Sequence, residues 1–173
     1  MAALDWASSS DASTTGFSRF DVFLNFRGED TRKNFTSFLK LLLKDRGINA
    51  FIDSEHLWVG EPIGPALGRA IKVSKISNPI FSKGYADSKW CLRELDQIVR
   101  CHRSDGQIIV PIFFDVEPSQ VRNQTGSFEK AFQEHEKNFD PDTVKTWREV
   151  LTVVGNLKGF DLDKNKVQAE VAE

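Results

Sequence analysis

Short runs of strand-forming residues alternate four times with segments whose apolar residues recur at helical spacing, and this alternation constrains the fold more than any other feature of the chain. Phe20-Asp21-Val22-Phe23-Leu24-Asn25-Phe26 is the first run. A turn at Arg27-Gly28-Glu29-Asp30 comes next, with Asp30 or Thr31 placed to cap a helix. Phe35, Phe38, Leu39, Leu42 and Leu43 then predict one apolar stripe reaching about Arg46, where Gly47 stops the helix. Ile48 to Ile52 predicts a second strand, 53–61 a polar loop, and Pro62 the start of a helix running to about Lys72. Ile76 to Phe81 predicts a third strand, irregular or bulged at Asn78-Pro79 because proline has no N–H to give a ladder. Lys89 to Arg103 predicts a helix, and Gln107 to Phe114 a fourth strand whose continuous apolar run implies burial on both faces. Further on, Glu117-Pro118-Ser119 opens a turn or short helix, and Ser127 is placed to cap a helix over Phe128 to Asn138. Asp140-Pro141 introduces a last helix with Val144, Trp147, Leu151, Val154 and Leu157 on one face, stopped by Gly159, and a short fifth strand is expected near Phe160.

Such alternation predicts right-handed βαβ units, hence an α/β fold with a parallel sheet covered on both faces. Ligands of these sheets bind outside the carboxyl ends of the strands. That rule selects the segments 27–31, 53–62, 82–90 and 115–126, far apart in sequence and convergent at one edge. Residues 1–18, rich in serine, threonine and alanine, read as a disordered leader, 19–160 as the domain, and 161–173 as an extension or the start of a linker. The chain stops without a turn or cap, as a piece of a larger protein would.

The 173 residues carry 23 basic and 25 acidic side chains, a net charge of −2 that gives no polyanion-binding footprint. The longest strongly apolar run, Ile108 to Phe114, is far short of the about 20 residues a membrane helix needs, and no signal-peptide pattern opens the chain. Cys91 and Cys101 fall in one predicted helix, roughly 15 Å apart along its axis, too far to pair. Two lone thiols fit a reducing compartment, so the expected location is cytoplasmic, with the nucleus as a second site. No cysteine or histidine spacing fits a metal site; His102 and His135 read as surface residues and Trp147 as core.

Three segments carry candidate chemistry. Arg27-Gly28 entering a helix offers a cation, a close backbone approach and a dipole end for an anion, but lacks any dinucleotide or P-loop fingerprint. Taken alone it reads first as a tight turn with surface ion pairs among Arg27, Glu29, Asp30 and Arg32. Glu94 lies in the second turn of its helix, with Trp90, Cys91, Gln97 and Ile98 at the neighbouring positions and no cation among them. An acid beside an aromatic ring is suited to acid–base or electrostatic work, and a solvent-exposed surface glutamate explains the pattern equally. Leu57-Trp58-Val59 puts apolar bulk on the loop 53–62, either as a lid or contact surface or as a segment folded onto the core.

Together these segments resemble plant TIR domains, the N-terminal signalling domains of nucleotide-binding leucine-rich-repeat immune receptors. The resemblance rests on Phe20 to Leu24 running into Phe26-Arg27-Gly28-Glu29-Asp30-Thr31-Arg32; on Gly47-Ile48 to Asp53; on Tyr85-Ala86 through Trp90-Cys91-Leu92-Arg93-Glu94-Leu95; on Pro111 to Ser119; and on Gln124 to Phe128, in that order. It implies a flavodoxin-like fold with five parallel strands and hydrolysis of NAD⁺ or NADP⁺, as substrate and with no cofactor, when domains self-associate. It maps the catalytic glutamate onto Glu94, ligand contacts onto Arg27 and Gly28, and the substrate pocket onto Ser88, Trp90 and Asp53. Implied partners are other TIR domains and downstream lipase-like immune signalling proteins. The chain departs from the common plant pattern at Asn25 (usually serine), Ile52 (often arginine), Val59 (usually a cation), Phe38 (often histidine) and Phe160 (often tryptophan). The altered loop cation and the apolar loop motivate the alternative of a non-catalytic homotypic adaptor. Nucleic-acid hydrolysis or cyclic-nucleotide synthesis by a filament is a third reading, with little support from so neutral a composition.

Overall fold

A computed structural model describes residues 20–52 and 63–162. Its sheet holds β1 (Val22–Phe26), β2 (Ala50–Phe51), β3 (Ile76–Phe81), β4 (Ile108–Ile109), β5 (Ile112–Phe114) and β6 (Phe160–Leu162). All pairings are parallel, in the order β2-β1-β3-β5-β6 with β4 also on β3. β4 and β5 keep one register against β3, Ser77 facing Ile109 and Ile80 facing Ile112, so they are two halves of one strand position. The sheet therefore has five positions, as the resemblance implies.

The break in that fourth position differs from the sequence expectation and has a clear cause. By register, Pro79 lies level with Pro111, so neither strand donates there. Asn78 Nδ2 donates to Val110 O at 2.8 Å and replaces a ladder bond. The irregularity expected at Asn78-Pro79 thus falls on the β4/β5 side, while the ladder to β1 runs unbroken from Val22↔Ile76 to Phe26↔Ile80. Ile108 is exposed, so the run is not buried on both faces throughout.

The helical segment after β1 is not one α-helix. It comprises α1 (Gly28–Thr31), a π-helical stretch (Arg32–Thr36) and α2 (Ser37–Asp45). A π turn holds an extra residue and rotates the helix beyond it. Phe35 is therefore buried and Leu39 and Leu43 pack on the sheet, whereas Phe38 and Leu42, expected on the same stripe, stand exposed beside Leu41. Neither Asp30 nor Thr31 caps the start of this segment: Arg27 is the N-cap, and its side chain makes no capping bond. Gly47, at φ +74, closes α2 as expected, with Ile48 N donating to Leu43 O and Gly47 N to Lys44 O.

The remaining helices among the described residues are α3 (Ile63–Val73), a 3₁₀ turn (Tyr85–Asp87), α4 (Lys89–Asp105), α5 (Pro118–Asn123), α6 (Ser127–Asn138) and α7 (Pro141–Gly155). Three boundaries differ from expectation, α4 running two residues past Arg103. Gly126, not Ser127, is the N-cap of α6, and α7 ends at Gly155, four residues before Gly159. Gly159 instead lies against Pro111, where β6 joins the sheet. His135, expected at the surface, is buried among Phe132, Phe139 and Trp147, with Nε2 2.7 Å from Ala86 O. Cys91 and Cys101 are both buried in α4, and no disulfide joins them.

Strand parity sorts the core. Phe23 points to the face covered by α3 and α4, packing with Phe51, Phe81, Leu92 and Leu95. Val22 and Leu24 point to the other face, under Leu39 and Leu43. Asn25 shares the parity of Phe23 and so faces α4. In the order β2-β1-β3-β5 the connection after β1 runs to one side and the connection after β3 to the other, which makes the carboxyl ends of β1 and β3 the switch point where such sheets bind ligands. Among the described residues no helix is long and apolar enough to cross a membrane.

Candidate functional site

A cleft of about 950 Å³ opens at that switch point, large for the roughly 300–1,000 Å³ typical of small-molecule sites. One wall is Phe26 to Glu29 with Arg32 and Lys33, leaving β1; the other is Asp87, Ser88, Trp90, Cys91 and Glu94, leaving β3; Leu67 of α3 closes one side. Of the site residues expected from the sequence, Arg27, Gly28, Ser88, Trp90 and Glu94 therefore line one cavity. Asp53, like Leu57, Trp58 and Val59, lies outside the described residues.

The two walls are joined through Asp30. Its carboxylate accepts from Arg27 Nη1 (2.6 Å), from Ser82 Oγ (2.6 Å) and from the backbone N–H of Gly84 (2.9 Å). Arg27 Nη2 meets Glu29 Oε2 at 2.9 Å. Burial works against the Arg27 charge, but Asp30 first, then Glu29 and Asp87, hold its pKa above the ordinary value. The ion pairs read from the sequence as the bland explanation are thus present, and Arg27 reaches the cleft already compensated. The helix behind Gly28 has only four α-helical residues, so its dipole adds little. Positive charge on this wall comes also from Arg32, folded across Gly28 onto the Phe26 ring at 4.9 Å, and from Lys33.

On the opposite wall Ser88 caps α4, its hydroxyl accepting from Cys91 N at 3.2 Å. Trp90 is 56% exposed, with Lys89 Nζ 5.3 Å and the Arg93 guanidinium 5.1 Å from its ring. Its indole offers a flat, cation-flanked face suited to stacking. Glu94 is half-buried, and its Oε1 accepts from Asn25 Nδ2 at 3.1 Å. Asn25 also donates to Cys91 O (3.4 Å) and accepts from the Tyr85 hydroxyl, which stands 3.2 Å from Cys91 O. Both Asn25 and Tyr85 are fully buried. Burial, then the charges of Cys91 and Glu94, hold the Tyr85 phenol well above its usual pKa, against the hydrogen bond to Asn25. Among the described residues no group of three histidine, cysteine or acidic side chains is placed to hold a metal.

Asn25, Asp30, Gly84 and Tyr85 are parts of the site that the sequence reading missed. A signal existed for Asn25, an amide inside an otherwise apolar strand, since buried polar groups find partners. None existed for the Asp30 clasp, which joins segments more than fifty residues apart.

The chain is similar to TMV resistance protein N of Nicotiana glutinosa, 46% identical over 92% of this chain and 14% of that protein. It is also 47% identical to disease resistance protein RPV1 of Vitis rotundifolia, over 90% of this chain and 11% of that protein. It therefore spans no more than about a seventh of those relatives. Among solved structures, the TIR domains of the activated Roq1 resistosome, which directly recognises the pathogen effector XopQ, superpose with a TM-score of 0.81 at 43% identity, over 88% of this chain and 97% of that one. The family model of the TIR domain matches residues 19–173. With a five-position parallel sheet and more than two-fifths identity to plant disease resistance proteins across nine-tenths of its length, the chain belongs to the TIR domain family.

Proposed function

We propose that this domain signals in plant immunity by self-associating and hydrolysing NAD⁺ at the nicotinamide–ribose bond. The observation that carries the reading is the meeting, in one cleft at the switch point, of a fixed carboxylate (Glu94), an exposed indole (Trp90) and a wall on which the cations Arg27, Arg32 and Lys33 outnumber the one acid, Glu29. Those three features match the three parts of a dinucleotide. The indole stacks on a base or the nicotinamide ring, the cations face the pyrophosphate, and the carboxylate faces the ribose.

Breaking the glycosidic bond builds oxocarbenium-like charge on the ribose, which Glu94 stabilises directly or by orienting the ribose hydroxyls. Nicotinamide leaves as a neutral amide with the bonding electron pair, so no general acid is needed. Water adds to the ribose carbon, giving ADP-ribose and one proton. NADP⁺ is a substrate of the same class. Self-association is supported by the resistosome setting of the similar Roq1 domains and by the exposed apolar face of Phe38, Leu41 and Leu42 on α2. We place the protein in the cytoplasm, with lipase-like immune signalling proteins downstream.

One observation favours the alternative of a non-catalytic homotypic adaptor: Arg27 is already paired with two carboxylates. Nicotinamide release by concentrated protein decides between them. Glu94→Gln is expected to lower kcat by about 10² to 10³-fold while NAD⁺ still binds. Wild-type protein that oligomerises and releases no nicotinamide would establish the adaptor instead.

A further inference from the structure

Asn25 ends the run of inward positions on β1, fully buried on the face covered by α4. Its amide has a single workable orientation. Cys91 O and the Glu94 carboxylate both only accept, and both lie beside Nδ2, at 3.4 and 3.1 Å. The reversed amide would turn Oδ1 toward these two acceptors and lose both bonds. The Tyr85 hydroxyl, with one proton to give, closes the other side by donating to Oδ1. Tyr85 is itself wedged edge-on against Phe81, ring centroids 4.7 Å apart, and fully buried. Its raised pKa keeps it a donor across the neutral range. A rigid chain thus runs from the core to the cleft: Tyr85 hydroxyl, Asn25 amide, Glu94 carboxylate.

We propose that Asn25 is a positioning residue for Glu94, its amide, oriented by the Tyr85 hydroxyl, fixing one carboxylate oxygen so that the carboxylate meets the ribose in a single orientation. A glutamate on a half-exposed helix face has three side-chain torsions to restrain, and a bond from a buried strand residue restrains them more than a surface partner would. The inference rests on the reading of Glu94 as the catalytic carboxylate. The contact itself can be judged without turnover.

Two readouts on the full chain separate the two claims. In nicotinamide release, Asn25→Leu is expected to lower kcat by about 10- to 100-fold. Its KM should stay within about threefold, because Asn25 touches no substrate. Tyr85→Phe, which keeps the ring and loses only the hydroxyl, is expected to lower kcat several-fold, and carries the test alone should Asn25→Leu not fold. An unchanged kcat in a folded variant, or a KM rise of equal size with kcat unchanged, overturns the positioning role. In nitrogen-15 spectra, the Asn25 side-chain amide protons are expected to exchange slowly and to shift in Glu94→Gln and in Tyr85→Phe. If wild-type protein releases no nicotinamide, the catalytic reading fails and these spectra judge the contact: a shift in both variants upholds it, and a resonance indifferent to Glu94→Gln removes it.

Discussion

Asp30 shows how much of this site depends on one side chain. It carries no chemistry in the proposed reaction, yet its carboxylate holds Arg27, Ser82 and the Gly84 N–H together and so sets the spacing of the cleft walls. Gly84 makes that clasp fit. A Cβ there would stand 2.6 Å from Arg27 Nη1 and 2.8 Å from Asp30 Oδ2. The atoms in the way are side-chain ends, so Gly84→Ala is expected to push Arg27 and Asp30 apart and to destabilise the domain by about 0.5–1.5 kcal/mol in urea unfolding, the worth of one hydrogen bond. An unchanged midpoint would show that the clasp relaxes freely. Residue type was legible where chemistry and local spacing coincide: Glu94 and Trp90 on one helix, and Arg27 and Gly28 in one turn, do line the cleft. Partnership was not legible. Helical spacing around Glu94 names only neighbours on its own helix, whereas Asn25, which donates to it, comes from a strand 69 residues away.

Elements were legible to the extent that local pattern decides them. The four strand–helix alternations and the parallel sheet are set by periodicity and stand in the structure. Departures occur where a tertiary contact or a backbone irregularity intervenes. The π stretch at Arg32–Thr36 turned Phe38 and Leu42 out to solvent, and two prolines meeting across a ladder split one strand in two. His135 is the clearest case of tertiary override. From its sequence context it is a polar residue on an amphipathic helix, whereas in the fold it ties α6 to the turn before Ser88 through Ala86 O. His135→Phe fills the space but strands that buried carbonyl, and is expected to cost about 1–3 kcal/mol in denaturant unfolding. A neutral effect would mean that the carbonyl finds another donor. At the start of α7, Asp140 accepts from both the N–H and the hydroxyl of Thr143, and these bonds hold its carboxyl below the usual aspartate range. A depressed folded pKa stabilises above the unfolded value and loses that contribution as pH falls through the folded one. Asp140→Asn, which keeps a capping oxygen without the titration, should therefore flatten the acid side of a thermal-melting profile below about pH 4. An identical acid limb in both proteins would contradict this assignment.

At the scale of the molecule, topology does what no single motif does: it brings two turns from the ends of β1 and β3 to the place where the strand order reverses. The proposed activity adds a second copy of the chain. The apolar face of α2, where Leu41 is 64% exposed, is the described surface on which that association can be tested. Leu41→Glu is expected to reduce the oligomer seen by light scattering without lowering the melting temperature, since the side chain has little packing to lose. The most direct test of an association-dependent, Glu94-based hydrolysis is nicotinamide release from NAD⁺ measured per molecule across a series of protein concentrations, wild type beside Glu94→Ala. Wild-type activity per molecule is expected to rise with concentration while the variant stays at background throughout. Activity that is equal in the two proteins, or absent from wild-type protein already shown to be oligomeric, would contradict that mechanism.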